Sequence, residues 1–293
     1  MSDLEHLLAV QNELGEGPVW DAEDQVLYWV DIYGQTFYRF SPSAGELRKI
    51  EVGVQVGALA PRISGGLVMA TRRGFALWDE PGAALTFLTD PEADHPETRF
   101  NDGAVDPAGR FWAGTMLEGS KDWDSAPGNL YRLDPDHALT RMDTGFAISN
   151  GIGWSPDYKT MYFTDSPRQV IYAYDYDLLT GEIENRRPFI QTPGEASVPD
   201  GLTVDSEGCI WSARWGGWRL IRYDPQGKQE REISLPVQYP TSCTFGGPAL
   251  DEVYITSAFT ELSVQQRVEQ PLAGDVFRIK LGIKGMERPR FLG

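Results

Sequence analysis

NDGAVDPAGRFWAG, residues 101–114, returns as SNGIGWSPDYKTMYFT at 149–164 and as PDGLTVDSEGCIWSA at 199–213. Each copy is a short strand, a polar turn carrying Pro, Asp or Gly, and a second strand. A third strand follows as GNLYRLD (128–134), QVIYAYD (169–175) or RLIRYD (219–224). Looser copies begin at Gly15 (GEGPVWDAEDQVLYWVD), Val56 (VGALAPRISGGLVMA) and Ser242 (SCTFGGPALDEVYIT). Anchoring on Gly17, Gly57, Gly103, Gly151, Gly201 and Cys243 gives a period of about 45 residues, the length of a four-stranded propeller blade. The 293 residues hold six such units, and long helical patterns are absent. The chain therefore reads as all-β, a six-bladed β-propeller of four-stranded antiparallel blades, with 1–293 as one domain.

An unpaired last blade would leave an open sheet edge, so a terminal strand must close the ring. The N-terminal run 4–10 precedes the first anchor and is the expected closing strand for the blade that begins near Ser242. The C-terminal PRFLG is its rival.

Composition narrows the chemistry. The 31 glycines and 20 prolines are blade punctuation, and 43 acidic against 26 basic side chains leave a net charge of -17. That balance argues against nucleic acid and against an anionic membrane surface. No run approaches the roughly 18 apolar residues of a membrane span. The N-terminal MSDLEHLLAVQNELGEG lacks the basic and apolar regions of a signal peptide, so a cytoplasmic location is expected. Two cysteines are too few for a disulfide framework. Cys209 reads as a core thiol, and Cys243 replaces an anchor glycine near the axis, where a redox or metal role is the minor alternative. With three histidines only, His6, His95 and His137, and no G-x-S-x-G elbow, hydrolytic chemistry would rest on carboxylates, amides and a metal.

In a propeller the first strand of each blade lines the channel. The residues just before the anchors are Glu16, Val56, Asp102, Asn150, Asp200 and Ser242, and five of these six carry side-chain oxygen. Carboxylates converging at one mouth repel unless a cation or protons neutralise them. Glu, Asp and Asn without Cys or His suit a hard or borderline divalent ion, although polar residues at strand starts also satisfy backbone amides in ordinary turns. The connections between second and third strands share that mouth, at 118–129, 214–219 and 260–274, and Arg99 stands close by. Trp215 and Trp218 either face the ligand or pack the blade. The turns DAED, DPAG and DSEG fall at the far end.

The motifs LGEGPVWD (14–21) followed by LYWVDI, RFNDGAVDPAGRFWAGTM (99–116), SNGIGWSPD (149–157) and PDGLTVDSEG (199–208) resemble those of the senescence marker protein, regucalcin and gluconolactonase family. The similarity covers nearly the whole chain. It implies one divalent metal ion held by Glu16, Asn150 and Asp200, with calcium foremost and zinc, manganese, magnesium or iron as alternatives. It also implies substrate contacts from Arg99 and Asn101, a further contact from Glu118, and Asp102 as an acidic neighbour outside the ligand set. Phe100 stands where members vary.

Family members hydrolyse sugar lactones. The expected reaction is metal-dependent hydrolysis of an aldonolactone to its aldonic acid, with the carbonyl polarised by the ion and Asp200 taking the proton of the attacking water. The expected partner is a small sugar lactone, and the chain is expected as a monomer or small homo-oligomer. Two other classes stay open: a cation-binding regulatory propeller without turnover, and a metal-dependent esterase or organophosphate hydrolase using the same residues.

Overall fold

The computed structural model describes residues 4–79, 84–119, 123, 125 and 127–293. Strand β1 (Glu5–Leu8) is followed by a sheet of β2 (Gly15–Asp21), β3 (Val26–Asp31), β4 (Thr36–Ser41) and β5 (Glu46–Glu51). The second sheet is β6 (Val56–Pro61), β7 (Leu67–Thr71), β8 (Gly74–Trp78) and β9 (Thr86–Thr89). The third is β10 (Thr98–Val105), β11 (Phe111–Leu117), β12 (Gly128–Leu133) and β13 (Leu139–Phe146). The fourth is β14 (Ser149–Trp154), β15 (Thr160–Asp165), β16 (Val170–Tyr176) and β17 (Ile183–Gln191). The fifth is β18 (Val198–Val204), β19 (Ile210–Trp215), β20 (Arg219–Tyr223) and β21 (Gln229–Ser234). The sixth combines β22 (Pro240–Gly246), β23 (Glu252–Ser257) and β24 (Val276–Lys280) with β1, and helix α1 (Val264–Glu269) lies between β23 and β24. This is the six-bladed propeller read from the repeat. No helix of the described residues is long and apolar enough to cross a membrane.

Burial runs from the axis outward, as the sequence of each strand requires. Every residue of the inner strands β2, β6, β10, β14 and β22 is buried. The outermost β5 (ELRKIE) and β21 (QEREIS) expose everything except one isoleucine each, Ile50 and Ile233. Small residues let the inner strands approach. A Cβ on Gly201 would lie 2.1 Å from Ser242 Oγ of the next blade, so that anchor admits no side chain.

The closing strand is the N-terminal one. β1 pairs antiparallel with β24, with Glu5 opposite Arg278 and Leu8 opposite Val276. The C-terminal PRFLG does something else. Gly285 bridges Asp205, Phe291 bridges Arg62, and Leu292 N donates to Gly109 O at 3.1 Å. Arg290 Nη2 reaches Asp21 Oδ2 at 2.8 Å. The tail is thus a strap across the far end of the channel.

The far-end turns are structural. Asp106 Oδ1 accepts from the Ala108 and Arg110 amides, and its Oδ2 accepts from Trp112 Nε1 at 3.0 Å. Asp205 repeats the pattern with the Glu207 and Cys209 amides and Trp211 Nε1 at 2.8 Å. Each carboxylate ties its hairpin turn to the buried Trp of the second strand.

The anchor positions also carry a break in the ladder. The pairing between first and second strand is interrupted at the same level in all six blades: between Glu16 and Val19, Val56 and Ala58, Phe100 and Asp102, Asn150 and Ile152, Pro199 and Leu202, and Pro240 and Ser242. A bulge bends its strand and re-aims the local side chains. These bulges fall on the ring residues.

Candidate metal and substrate site

At the mouth where the inner strands begin lies a cavity of about 480 Å³ lined by Glu16, Arg99, Asn101, Asn150 and Asp200. That volume suits a small-molecule site. β2, β10, β14 and β18 each deliver residues from their bulged starts, which is why positions so distant in sequence meet. Asp102 sits deeper. It borders a void of about 10 Å³ shared with Ser242 and Arg288. Glu118 joins at the rim through an ion pair with Arg99 Nε at 3.3 Å.

A chain of hydrogen bonds fixes the wall. Arg99 Nη1 donates to Asn101 Oδ1 at 2.7 Å, and Asn101 Nδ2 donates to Ser149 O at 2.9 Å and to Asn150 Oδ1 at 3.1 Å. Asn150 Nδ2 donates to Ser166 Oγ at 2.9 Å, which leaves its carbonyl oxygen on the site side. The Arg99 guanidinium lies 5.8 Å from the centre of the Tyr33 ring. Glu118 accepts from Arg72 and from Gln55 Nε2.

Burial and mutual repulsion dominate the electrostatics of the ring carboxylates. Burial raises the Glu16 carboxyl well above its ordinary range, and the Asp200 and Asp102 charges push it further. Asp200 is raised by burial and by Asp102, against the pull of the Gly201 amide and Arg214. Asp102 is pushed up to about 6 by burial, although the Gly103 amide and Arg288 pull it down. Asp200 Oδ1 is buried with no hydrogen-bond partner. A buried carboxylate oxygen without a partner is costly. Glu16 and Asp200 bring carboxylates and Asn150 an amide oxygen to the same cavity wall, a donor chemistry that fits a divalent cation. Glu118 behaves oppositely: burial alone would raise it, but the Arg72 hydrogen bond and the Arg99 charge outweigh burial and hold it below the usual range.

The other candidates separate cleanly. Trp215 lines the cavity and packs on Tyr239 with ring centres 4.4 Å apart, whereas Trp218 is 41% exposed and is not part of the wall. Thr260 and Glu261 also border the cavity, as does Trp123. Residues 120–122, 124 and 126 of the 118–129 connection lie outside the described residues. Cys243 is fully buried, and burial raises its thiol to about 12. Cys209 is likewise buried and raised to about 11. Both are core thiols. His95 is exposed and lies 3.5 Å from Glu97. Asp205, Glu207 and Cys209 cluster on the far side, but Arg222 already fills that cluster, at 2.8 Å from Asp205 Oδ2 and 2.5 Å from Glu207 Oε2.

Sequence reasoning passed over Tyr33, Gln55, Arg72 and Ser166. Tyr33, Arg72 and Ser166 stand in short turns between second and third strands, so the rule that selected the longer connections also covers them. Gln55 precedes the loosest copy of the repeat, where no motif draws the eye.

Residues 14–259 match the family model described as SMP-30/Gluconolactonase/LRE-like region. Regucalcin of Xenopus laevis is 38% identical over 294 residues, covering 99% of this chain and 98% of its own. A 6-deoxy-6-sulfogluconolactonase of Pseudomonas putida is 38% identical over 282 residues, covering 96% and 95%. The crystal structure of a calcium-binding protein, regucalcin, from Agrobacterium tumefaciens superposes with a TM-score of 0.93 at 28% identity, over 99% of this chain and 97% of that one. With the motifs, the propeller and these full-length similarities in agreement, the chain belongs to the SMP-30/gluconolactonase/LRE-like family.

Proposed function

We propose that the chain hydrolyses a sugar lactone to its aldonic acid, with one divalent metal ion, calcium foremost, held by Glu16, Asn150 and Asp200. The observation that carries this reading is the buried, unpartnered Asp200 Oδ1 in a cavity wall shared with Glu16 and Asn150. A bound divalent ion supplies polarisation of the lactone carbonyl and compensation for the charge that develops on its oxygen.

The chain's own residues do the rest. Asp200 takes a proton from water as the water oxygen bonds to the carbonyl carbon. When the ring C–O bond breaks, that proton passes to the departing ring oxygen, which becomes the new hydroxyl of the aldonic acid. Arg99 brings a cationic donor to the cavity wall, and Glu118, kept ionised by Arg72, brings an acceptor to the rim. Donors and acceptors together match a polyhydroxylated ring better than an apolar ester. Asn101 has its amide fully engaged by Arg99, Ser149 and Asn150; it orients the wall as well as bordering the substrate.

A cation-binding propeller without turnover would use the same three ligands, but it has no need of Arg99 and Glu118 at the mouth. Aldonolactones of five and six carbons, assayed with calcium, zinc, manganese or magnesium and after chelation, separate the readings. Turnover that requires added ion is expected. Ion binding without hydrolysis of any lactone would favour the regulatory reading.

A further inference from the structure

The strap that crosses the far end of the channel carries Arg288 to the axis. We propose that Arg288 is a positioning residue for the site, its guanidinium acting as the buried counter-charge of Asp102 beneath the Glu16 and Asp200 carboxylates. The metal arm of this inference rests on the function proposed above, whereas the Asp102–Arg288 pairing does not.

Three observations support it. Asp102 and Arg288 border one void of about 10 Å³, together with Gly17, Gly103, Leu202 and Ser242. That is about the room of a single water, enough for a bridged ion pair. Arg288 is half-buried as a residue and borders a far-face hollow of about 230 Å³, and its Nη2 donates to Leu202 O of the inner strand β18 at 3.4 Å. Each charge also acts on the other: Arg288 draws the Asp102 carboxyl down, and Asp102 supports the charged guanidinium against its burial.

Charge balance supplies the reason. Glu16, Asp200 and Asp102 present three carboxylates, and a divalent ion compensates two. Arg99 is already paired with Glu118 at the rim. Arg288 provides the remaining positive charge from the opposite face. The closed far end of the channel is then part of the site's electrostatics as well as a plug.

A double-mutant cycle in the chelated protein tests the pairing. Arg288→Met is expected to lower Tm by about 5–10 °C, because it leaves a buried carboxylate uncompensated. Adding Asp102→Asn is expected to recover most of that loss, and Arg288→Lys to retain wild-type stability. Calorimetry with calcium chloride at fixed pH supplies the second readout. Removing the cation beneath the site is expected to tighten calcium binding several-fold, and so to enlarge the calcium-induced rise in Tm. A strap that only anchors the fold would give additive losses and the same calcium affinity in wild type and Arg288→Met. Either result overturns the proposal. If the wild type binds no divalent ion, the metal reading fails while the stability cycle still decides the role of Arg288.

Discussion

Asn101 Nδ2 donates to Asn150 Oδ1 at 3.1 Å, joining the residue that accepts from Arg99 to the proposed amide ligand of the cation. The proposed substrate wall and metal floor are thereby one hydrogen-bonded unit across blades three and four. Loss of the link should disturb turnover more than ion binding, since Ser166 still holds the Asn150 amide. Asn101→Ala is expected to lower kcat/KM for the lactone by about 10–100-fold. The accompanying change in calcium Kd should be smaller than that fold-change. Steady-state kinetics and calorimetry on the same preparation check the ratio.

The buried carboxylates are expected to give the metal-free protein a stability that falls as pH rises above the ordinary carboxylate range. Glu16, Asp200 and Asp102 are all raised in the folded state, Asp102 to about 6. The folded chain thus holds protons that the unfolded chain releases near pH 4. Their contribution is most favourable below the ordinary carboxylate range and is lost as pH rises through the raised values. Chelated protein should melt several degrees lower at about pH 8 than at about pH 5, and added calcium should close that gap. A metal-free Tm that climbs steadily across the interval would contradict the assignment.

Closure by the N-terminal strand makes its own prediction. Besides the β1–β24 pairing, Asp275 Oδ1 accepts from the Val10 and Gln11 amides, and Asp275 Oδ2 meets His6 Nε2 at 2.8 Å. Deleting residues 1–9 would open the β24 edge and take His6 away from the buried Asp275 carboxylate. A Tm loss of about 10 °C or more, or aggregation visible by light scattering, is expected. An unchanged melting curve would mean that the ring does not depend on β1.

The repeat made the fold legible because an anchor glycine recurs in five of the six inner strands, and at Gly201 the Ser242 of the next blade leaves no room for a side chain. The polar outer strands ELRKIE and QEREIS likewise announced their exposure. The bulges went unread for a different reason: glycine inside a strand is their usual mark, and Gly57 and Gly151 occupy the skipped positions, but the same glycines also serve as the anchors of the repeat. The depth of Asp102 was hidden with them. Its motif adjoins Asn101, but the register break after Phe100 turns neighbouring positions toward different levels of the channel. The strap was hidden for another reason. Arg288 and Phe291 sit in no repeat, so their contacts follow only from where β24 leaves the chain.

The central claim is that Asp200 binds the ion and accepts the proton of the attacking water. Asp200→Asn keeps the shape of the side chain and removes its charge. The decisive measurement is lactone hydrolysis as a function of calcium concentration in wild type and Asp200→Asn, with circular dichroism showing both to be folded. The expected result is calcium-saturable turnover in the wild type and a fall of about 10²–10⁴-fold in the variant at every calcium concentration. Wild-type rates in the folded variant, or full activity in wild-type protein shown to be metal-free, would contradict it.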